Sequence, residues 1–412
     1  QRDQAIEQIG DPRDVDEIKA SMLDRVLITQ VVLTTGNIWR TRMAETIRLI
    51  VRVRQLFYKH MKANNQWKLA PNLVSDYRFV TRKRLFPRRE IAPEIFVDSA
   101  TQKIDNTNIQ NSLKALTEDF AGFAPFQLRA CQTILNRIDS KEPTATLVSA
   151  GTGSGKTKAV YLPALSYLSS IKSDSHWTKM LALYPRNELL KDQLRVALIE
   201  TRQLRKKTGL SLSIGTFFGG TPKDLDFIKT QNGWKEKNGK RICPFLTCLE
   251  CESELYLFED RGSTELRCVN TTCNGKISSQ ELFLTREQQA ETPPDLLLTS
   301  VEMLNRQIQN DEFQKIFGVE MPETERPKLL LLDEAHTYSG LAGAQVALLL
   351  RRWQHAVGNP VHTVGLSATL LDGETFFGDL SSTNPNEVTV VEPTNTEMEP
   401  DSKEYLIALR GN

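Results

Sequence analysis

Ala150-Gly151-Thr152-Gly153-Ser154-Gly155-Lys156-Thr157 lies between an apolar run, Ala145–Ser149, and a helix-length stretch over 156–170. Small residues in such a turn let backbone N–H groups approach phosphate oxygens, and the following helix offers its positive end. Lys156 then reaches the β- and γ-phosphates of a nucleotide, and the Thr157 hydroxyl is placed to ligate Mg²⁺. Gly151, Thr152, Gly153, Ser154 and Gly155 line the phosphates on this reading. Strand, phosphate-cradling loop and helix in succession predict an α/β fold with a parallel sheet covered on both faces.

Working outward, short apolar runs alternate with helix-length stretches from about Phe120 onward. Met180–Tyr184, Leu296–Thr299, Leu329–Leu332 and Thr363–Leu366 are the further strand candidates. Helical patterns over 127–138, 186–205, 301–316 and 341–355 lie between them. After Leu329–Leu332 come Asp333 and Glu334. A buried parallel strand delivers both acids to its carboxyl end, where open α/β sheets bind ligands. There Asp333 would hold the Mg²⁺ water shell, and Glu334 would polarise a water as general base. An acidic pair at a strand end can also serve only to cap a helix, but the company of Lys156 favours the chemical role.

The 412 residues suffice for two or three domains. The composition, 40% hydrophobic and 25% charged, is that of an ordinary globular chain. No apolar run approaches the ~20 residues of a membrane span, and the polar opening lacks a signal-peptide pattern. A cytoplasmic protein without membrane partners is expected, and Gln1 in place of Met suggests that the start is missing or processed.

The net charge of +1 hides an asymmetry: residues 40–89 hold 14 Lys/Arg against Glu45 and Asp76. Such a block suits a polyanion, although a solvated helical face has the same look. Met43, Ile47, Ile50, Val51, Phe57 and Met61 recur at helical spacing, so residues 1–62 read as helical. Trp39, Phe57, Tyr58, Trp67 and Tyr77 are interleaved with the basic residues and could stack on bases or simply form core. We divide the chain into a basic helical or mixed region (1–119), an α/β domain (120–380) and an acidic tail (381–412). Residues 221–290 are read as an insertion within the α/β domain.

Five of the six cysteines fall between Cys243 and Cys273. Cys248-x₂-Cys251 and Cys268-x₄-Cys273 form two knuckles sixteen residues apart, a spacing suited to a zinc ribbon with four thiolates and no open position. Cys243 could replace Cys248, but the tighter chelating spacing favours Cys248. Ser253–Phe258 and Glu265–Arg267 supply the alternation of a joining hairpin.

Asp333-Glu334-Ala335-His336 together with Ser367-Ala368-Thr369 resembles the DEAH-type helicases of superfamily 2. The resemblance covers about residues 120–380 and implies the first of their two RecA-like P-loop domains; Ala150 in place of the usual first glycine is common in helicase loops. It further implies that Gln127 reads the adenine edge and that Ser367, Ala368, Thr369 and His336 relay ATP state to strand separation. Pro185, Arg186, Gln193, Gly220, Thr221 and Thr299 would be nucleic-acid contacts, although such short segments are often plain turns. Tyr338, Gly340 and the stretch Val346–Arg352 are similar to the group of mitomycin-repair and Lhr-type helicases. Large phage-defence helicases such as those of Druantia and DISARM belong nearby. The implied activity is ATP-driven translocation on single-stranded DNA or a tailed duplex, 3′-to-5′, in defence or repair.

No arginine finger follows Thr369. A second RecA-like domain, in the same or another chain, is therefore the expected partner, and the sequence reads as a fragment or half of a split enzyme. A competing reading is an ATP-gated nucleic-acid-binding subunit that recruits partners without unwinding. A nucleotide-driven protein remodeller fits the Ser-Ala-Thr segment less well.

Overall fold

The computed structural model describes residues 15–25, 27–33, 36–53, 71–171, 175–230, 233–260, 263–368, 370 and 372–411. The chain forms two compact units, Gln1–Arg84 with Pro400–Asn412, and Leu85–Glu399. Strands are numbered in chain order.

In the first unit, a helix over Val15–Asp24 precedes β1 (Ile28–Leu33) and β2 (Gly36–Thr41), which pair antiparallel from Ile28↔Thr41 to Leu33↔Gly36. A second helix, Arg42–Arg52, starts at Thr41, whose Oγ1 accepts the Ala44 N–H at 3.1 Å. The periodic residues Met43, Ile47, Ile50 and Val51 do form a helix. The expectation of helix throughout 1–62 is nonetheless corrected by the β1–β2 hairpin, where β-branched residues outweigh helical period. Phe57, Tyr58, Met61 and Trp67 lie outside the described residues. β3 (Val74–Pro87) pairs with β17 (Met398–Gly411), and Phe79 stacks on Tyr405 with ring centroids 5.7 Å apart.

In the second unit, β4 (Ala145–Ser149), β5 (Met180–Tyr184) and β6 (Ile214–Phe217) are the first strands of an eight-stranded sheet. The others are β12 (Leu282–Phe283), β13 (Leu296–Ser300), β14 (Leu329–Leu332), β15 (His362–Ser367) and β16 (Val388–Val391). Their order is β12-β6-β13-β5-β14-β15-β4-β16, and every pairing is parallel. Alternate residues feed two apolar layers. Met180, Ala182, Leu329 and Leu331 face one, and Leu181, Leu183, Leu330 and Leu332 face the other. Burial on both faces explains why these strands read as unbroken apolar runs. The stretch beyond residue 381 is not simply a tail, because β16 takes the sheet edge beside β4.

The amino ends of three neighbouring strands are tied by a buried ion pair. Lys179 bonds Asp295, whose other oxygen accepts the Ser213 N–H at 2.8 Å and its hydroxyl at 3.0 Å. Removing one partner would leave a buried charge uncompensated, at a cost of about 3–5 kcal/mol. The opposite end of the sheet carries the residues that the sequence singled out.

The insertion is a five-stranded sheet of its own. β7 (Glu236–Lys237), β8 (Lys240–Thr247), β9 (Glu254–Asp260), β10 (Ser263–Cys268) and β11 (Lys276–Ser278) are arranged as an antiparallel meander. The anticipated hairpin is β9–β10, registered from Ser263↔Asp260 to Cys268↔Leu255. The chain then returns to the main sheet through β12, beside β6. Among the described residues no helix is long and apolar enough to cross a membrane.

Candidate functional site

Adjacent strand ends bring the distant segments of sequence together. β15 lies between β14 and β4, with Ser367 opposite Ser149 and Gly365 opposite Leu332. The loop after β4, the acids after β14 and Ser367–Ala368 at the end of β15 therefore share one edge. Lys156, the first residue of the helix Lys156–Ser170, donates from Nζ to the Ser367 carbonyl at 2.8 Å. Burial lowers its pKa, and Glu334 and Asp333 oppose that shift. Thr157, half-buried, follows in the same first turn.

The loop is shaped for a close ligand. Gly153 and Gly155 have φ of 84° and 89°, and a Cβ on Gly155 would sit 2.6 Å from the Gln127 amide nitrogen. Gln127, only 3% exposed, accepts the Ala124 N–H at 2.9 Å and donates to the Gly155 carbonyl at 3.0 Å. Its orientation against the loop is thereby fixed. The Ser154 hydroxyl is buried in the loop with no partner among the described residues. An orphaned hydroxyl, a glycine cradle and a cationic helix start together fit a polyphosphate and its Mg²⁺.

Asp333 is buried, and burial pushes its pKa up to about 6; the Glu334 N–H, 2.9 Å from its Oδ1, acts in the opposite direction. Glu334 adopts the left-handed conformation, with φ of 48°. Such a backbone costs of order 1 kcal/mol or more for a side-chain-bearing residue. It is held by that Asp333 bond and by the Thr337 N–H and hydroxyl, both 2.8 Å from the Glu334 carbonyl. His336 sits between the two segments: its Nδ1 is 3.3 Å from Glu334 Oε2, 3.4 Å from the Ala368 nitrogen and 3.5 Å from Ser367 Oγ. Thr369 lies outside the described residues.

Three tyrosines lie behind Asp333, and Tyr161 among them escaped the sequence reading. The Tyr161 and Tyr184 hydroxyls are 3.0 Å apart, and burial raises the pKa of Tyr161, Tyr184 and Tyr338 with Asp333 adding to each. Tyr161, one turn beyond Thr157, carried a signal in its spacing alone.

A groove of about 900 Å³ opens at the ends of β5 and β13, between Pro185–Arg186, Ser300–Asn305 and the helix Gly340–Val357. Arg186 is exposed at its rim, and Gly220 is also exposed. Gln193 is half-buried. Thr221 and Thr299 turn inward: their hydroxyls donate to the carbonyls of Thr216 at 2.7 Å and Phe217 at 2.5 Å. Any ligand contact from those two positions would fall to the main chain.

In the insertion, the Sγ atoms of Cys248, Cys251, Cys268 and Cys273 all lie within 4.8 Å of one another. The Cys248–Cys273 pair is at 3.7 Å and Cys251–Cys268 at 3.4 Å. A disulfide needs about 2.05 Å, whereas a tetrahedral ion with Zn–S bonds of about 2.3 Å sets sulfurs about 3.8 Å apart. The cluster fits zinc. Cys243 is buried in the apolar core, outside the group. Gly275 donates its N–H to Cys273 Sγ at 3.4 Å, and a Cβ there would stand 2.3 Å from Cys248 Sγ. Arg195 donates to the Cys248 carbonyl at 2.8 Å and Arg202 to Glu281 at 2.7 Å. The long helix Asn187–Thr208 thus grips the stretch 248–281 at two positions one heptad apart, the first at Cys248 itself.

Residues 124–234 match the DEAD/DEAH box helicase family. The chain is 25% identical over 327 residues to Druantia protein DruE of Escherichia coli strain UMEA 4076-1, covering 67% of this chain and 18% of that protein. It is 30% identical over 134 residues to the Lhr helicase/uracil glycosylase of E. coli K12, covering 32% of this chain and 8% of that protein. A structure of Mycobacterium smegmatis helicase Lhr bound to ssDNA and AMP-PNP is similar at 23% identity and a TM-score of 0.45, over 72% of this chain and 28% of that one. This chain therefore spans less than a fifth of either curated relative. A parallel sheet, a phosphate loop and an Asp-Glu-Ala-His turn on one edge accompany the match of residues 124–234 to the DEAD/DEAH box helicase family.

Proposed function

We propose that this chain supplies the nucleotide-binding wall of an ATP-driven motor that moves on or unwinds DNA. The observation that carries the proposal is the meeting of Lys156 with the Ser367 carbonyl beside Asp333 and Glu334. Gln127 would face the base, residues 151–156 the phosphates, and Thr157 with Asp333 the metal. Mg²⁺ held by Thr157 and Asp333 would supply positive charge against that developing on the phosphates. Glu334 would accept a proton from the attacking water, and His336 with Ser367–Thr369 would pass nucleotide state onward. Arg186, Pro185, Gln193, Gly220, Thr221 and Thr299 would border the nucleic-acid path, the two threonines through their backbone. Cys248, Cys251, Cys268 and Cys273 would hold structural zinc. The likeness to DruE supports a place in phage defence, with 3′-to-5′ polarity expected of such motors.

The test is nucleic-acid-stimulated ATP hydrolysis and strand displacement by the full-length protein. Glu334→Gln should retain ATP binding and lose about 10²–10⁴ in turnover, while Lys156→Ala should lose tight ATP binding. Normal turnover by Glu334→Gln would refute the assignment of the base. Stimulated hydrolysis without displacement or translocation would refute the motor in favour of an ATP-gated clamp.

A further inference from the structure

Lys158 stands two residues past Lys156 in the helix Lys156–Ser170, about 200° around its axis, and so points away from the side on which Lys156 lies. Its ammonium pairs with Glu200 and lies over the Phe120 ring, 4.3 Å from the centroid. Glu200 is 3% exposed, and its Oε2 has no hydrogen-bond partner among the described residues. A buried carboxylate is costly unless it is paired, and Lys158 is the cation that compensates this one. The pair takes no part in the chemistry assigned above.

Glu200 projects from a helix that is fixed on its other side. Arg195 and Arg202, which grip the insertion, lie roughly 140–160° around the axis of Asn187–Thr208 from it. The turn Gly155–Lys158 is therefore held at both ends: Gln127 takes the Gly155 carbonyl at 3.0 Å, and Glu200 takes the Lys158 ammonium. Lys156 and Thr157 sit between the two held points. An ion pair that is also hydrogen-bonded fixes direction, whereas apolar contact is non-directional and would let this turn slide. We infer that Glu200 is a positioning residue for the phosphate loop, acting through Lys158 to set where Lys156 and Thr157 meet a nucleotide. This rests on the nucleotide-binding reading of the loop and adds to it an anchor on the helix Asn187–Thr208.

Nucleic-acid-stimulated ATP hydrolysis and thermal unfolding of the full-length protein separate positioning from plain stability. Glu200→Gln removes the buried anion. Lys158→Met with Glu200→Met replaces the pair by apolar chains of similar length, an exchange that commonly leaves stability unchanged or raised. Both variants should raise the KM for Mg²⁺–ATP about tenfold with kcat within about twofold of the parent, because ground state and transition state lose the same placement. The double variant should do so at a parent-like thermal midpoint. A contact that only stabilises the fold would instead reduce the active fraction, and with it the apparent kcat, at unchanged KM. A parent-like KM in either variant, with or without a fall in kcat, would overturn the inference. A parent protein that hydrolyses no ATP with any nucleic acid would instead sink the reading on which it rests.

Discussion

Asp333 carries the folding cost of the candidate site, and that cost can be measured. Its carboxyl is buried, and its pKa rises from an ordinary 3.8 to about 6. A raised carboxyl pKa means that the fold favours the protonated form. The resulting stability is fully present below 3.8 and is lost as pH rises through about 6. At 1.36 kcal/mol per tenfold in proton affinity, the nucleotide-free protein gives up about 3 kcal/mol by neutral pH. Asp333→Asn keeps the shape and the oxygen that accepts the Glu334 N–H but removes the charge. Thermal unfolding should show the variant about 4–5 °C more stable at pH 7.5, given the size of the unit. The advantage should shrink through the pH 6–4 interval and vanish below it. Saturating Mg²⁺ and nucleotide should narrow it at pH 7.5, because only the parent has the anionic ligand to repay. A pH-independent difference, or a less stable variant at pH 7.5, would refute the reasoning.

Two further outcomes are expected. Gly155→Ala should weaken nucleotide binding and destabilise the loop by at least ~1 kcal/mol, because φ of 89° and the 2.6 Å approach to Gln127 both oppose a Cβ; Gly151→Ala, which meets nothing within 4 Å, should be milder in nucleotide titrations. Cys251→Ser should abolish bound zinc in elemental analysis whereas Cys243→Ser should retain it, and parent protein purified without zinc would remove the site.

Local chemistry made much of this molecule legible. The five apolar runs became strands because strands buried on both faces cannot alternate, and the phosphate loop and acidic turn are dense in diagnostic residues. β6, β12 and β16 were not anticipated. Ile214–Phe217 is broken by Gly215 and Thr216, Leu282–Phe283 is too short to signal itself, and Val388–Val391 lies amid acidic text. The hairpin at Ile28–Thr41 was masked by the helical rhythm beginning at Met43. At the site, spacing alone favoured Cys248 over Cys243, and the sulfur geometry agrees with that choice. The inward hydroxyls of Thr221 and Thr299 depend on carbonyls of other segments, which no local pattern reports.

The bond between Lys156 and the Ser367 carbonyl gives nucleotide arrival the character of an exchange. The ammonium already has a partner, so an incoming ligand must outbid a neutral carbonyl, which a phosphate anion does and an uncharged nucleoside does not. What it displaces is the last residue of β15, beside Ala368 and within reach of His336. A phosphate bound there would therefore be felt at the end of β15 as a change of partner for the Ser367 carbonyl.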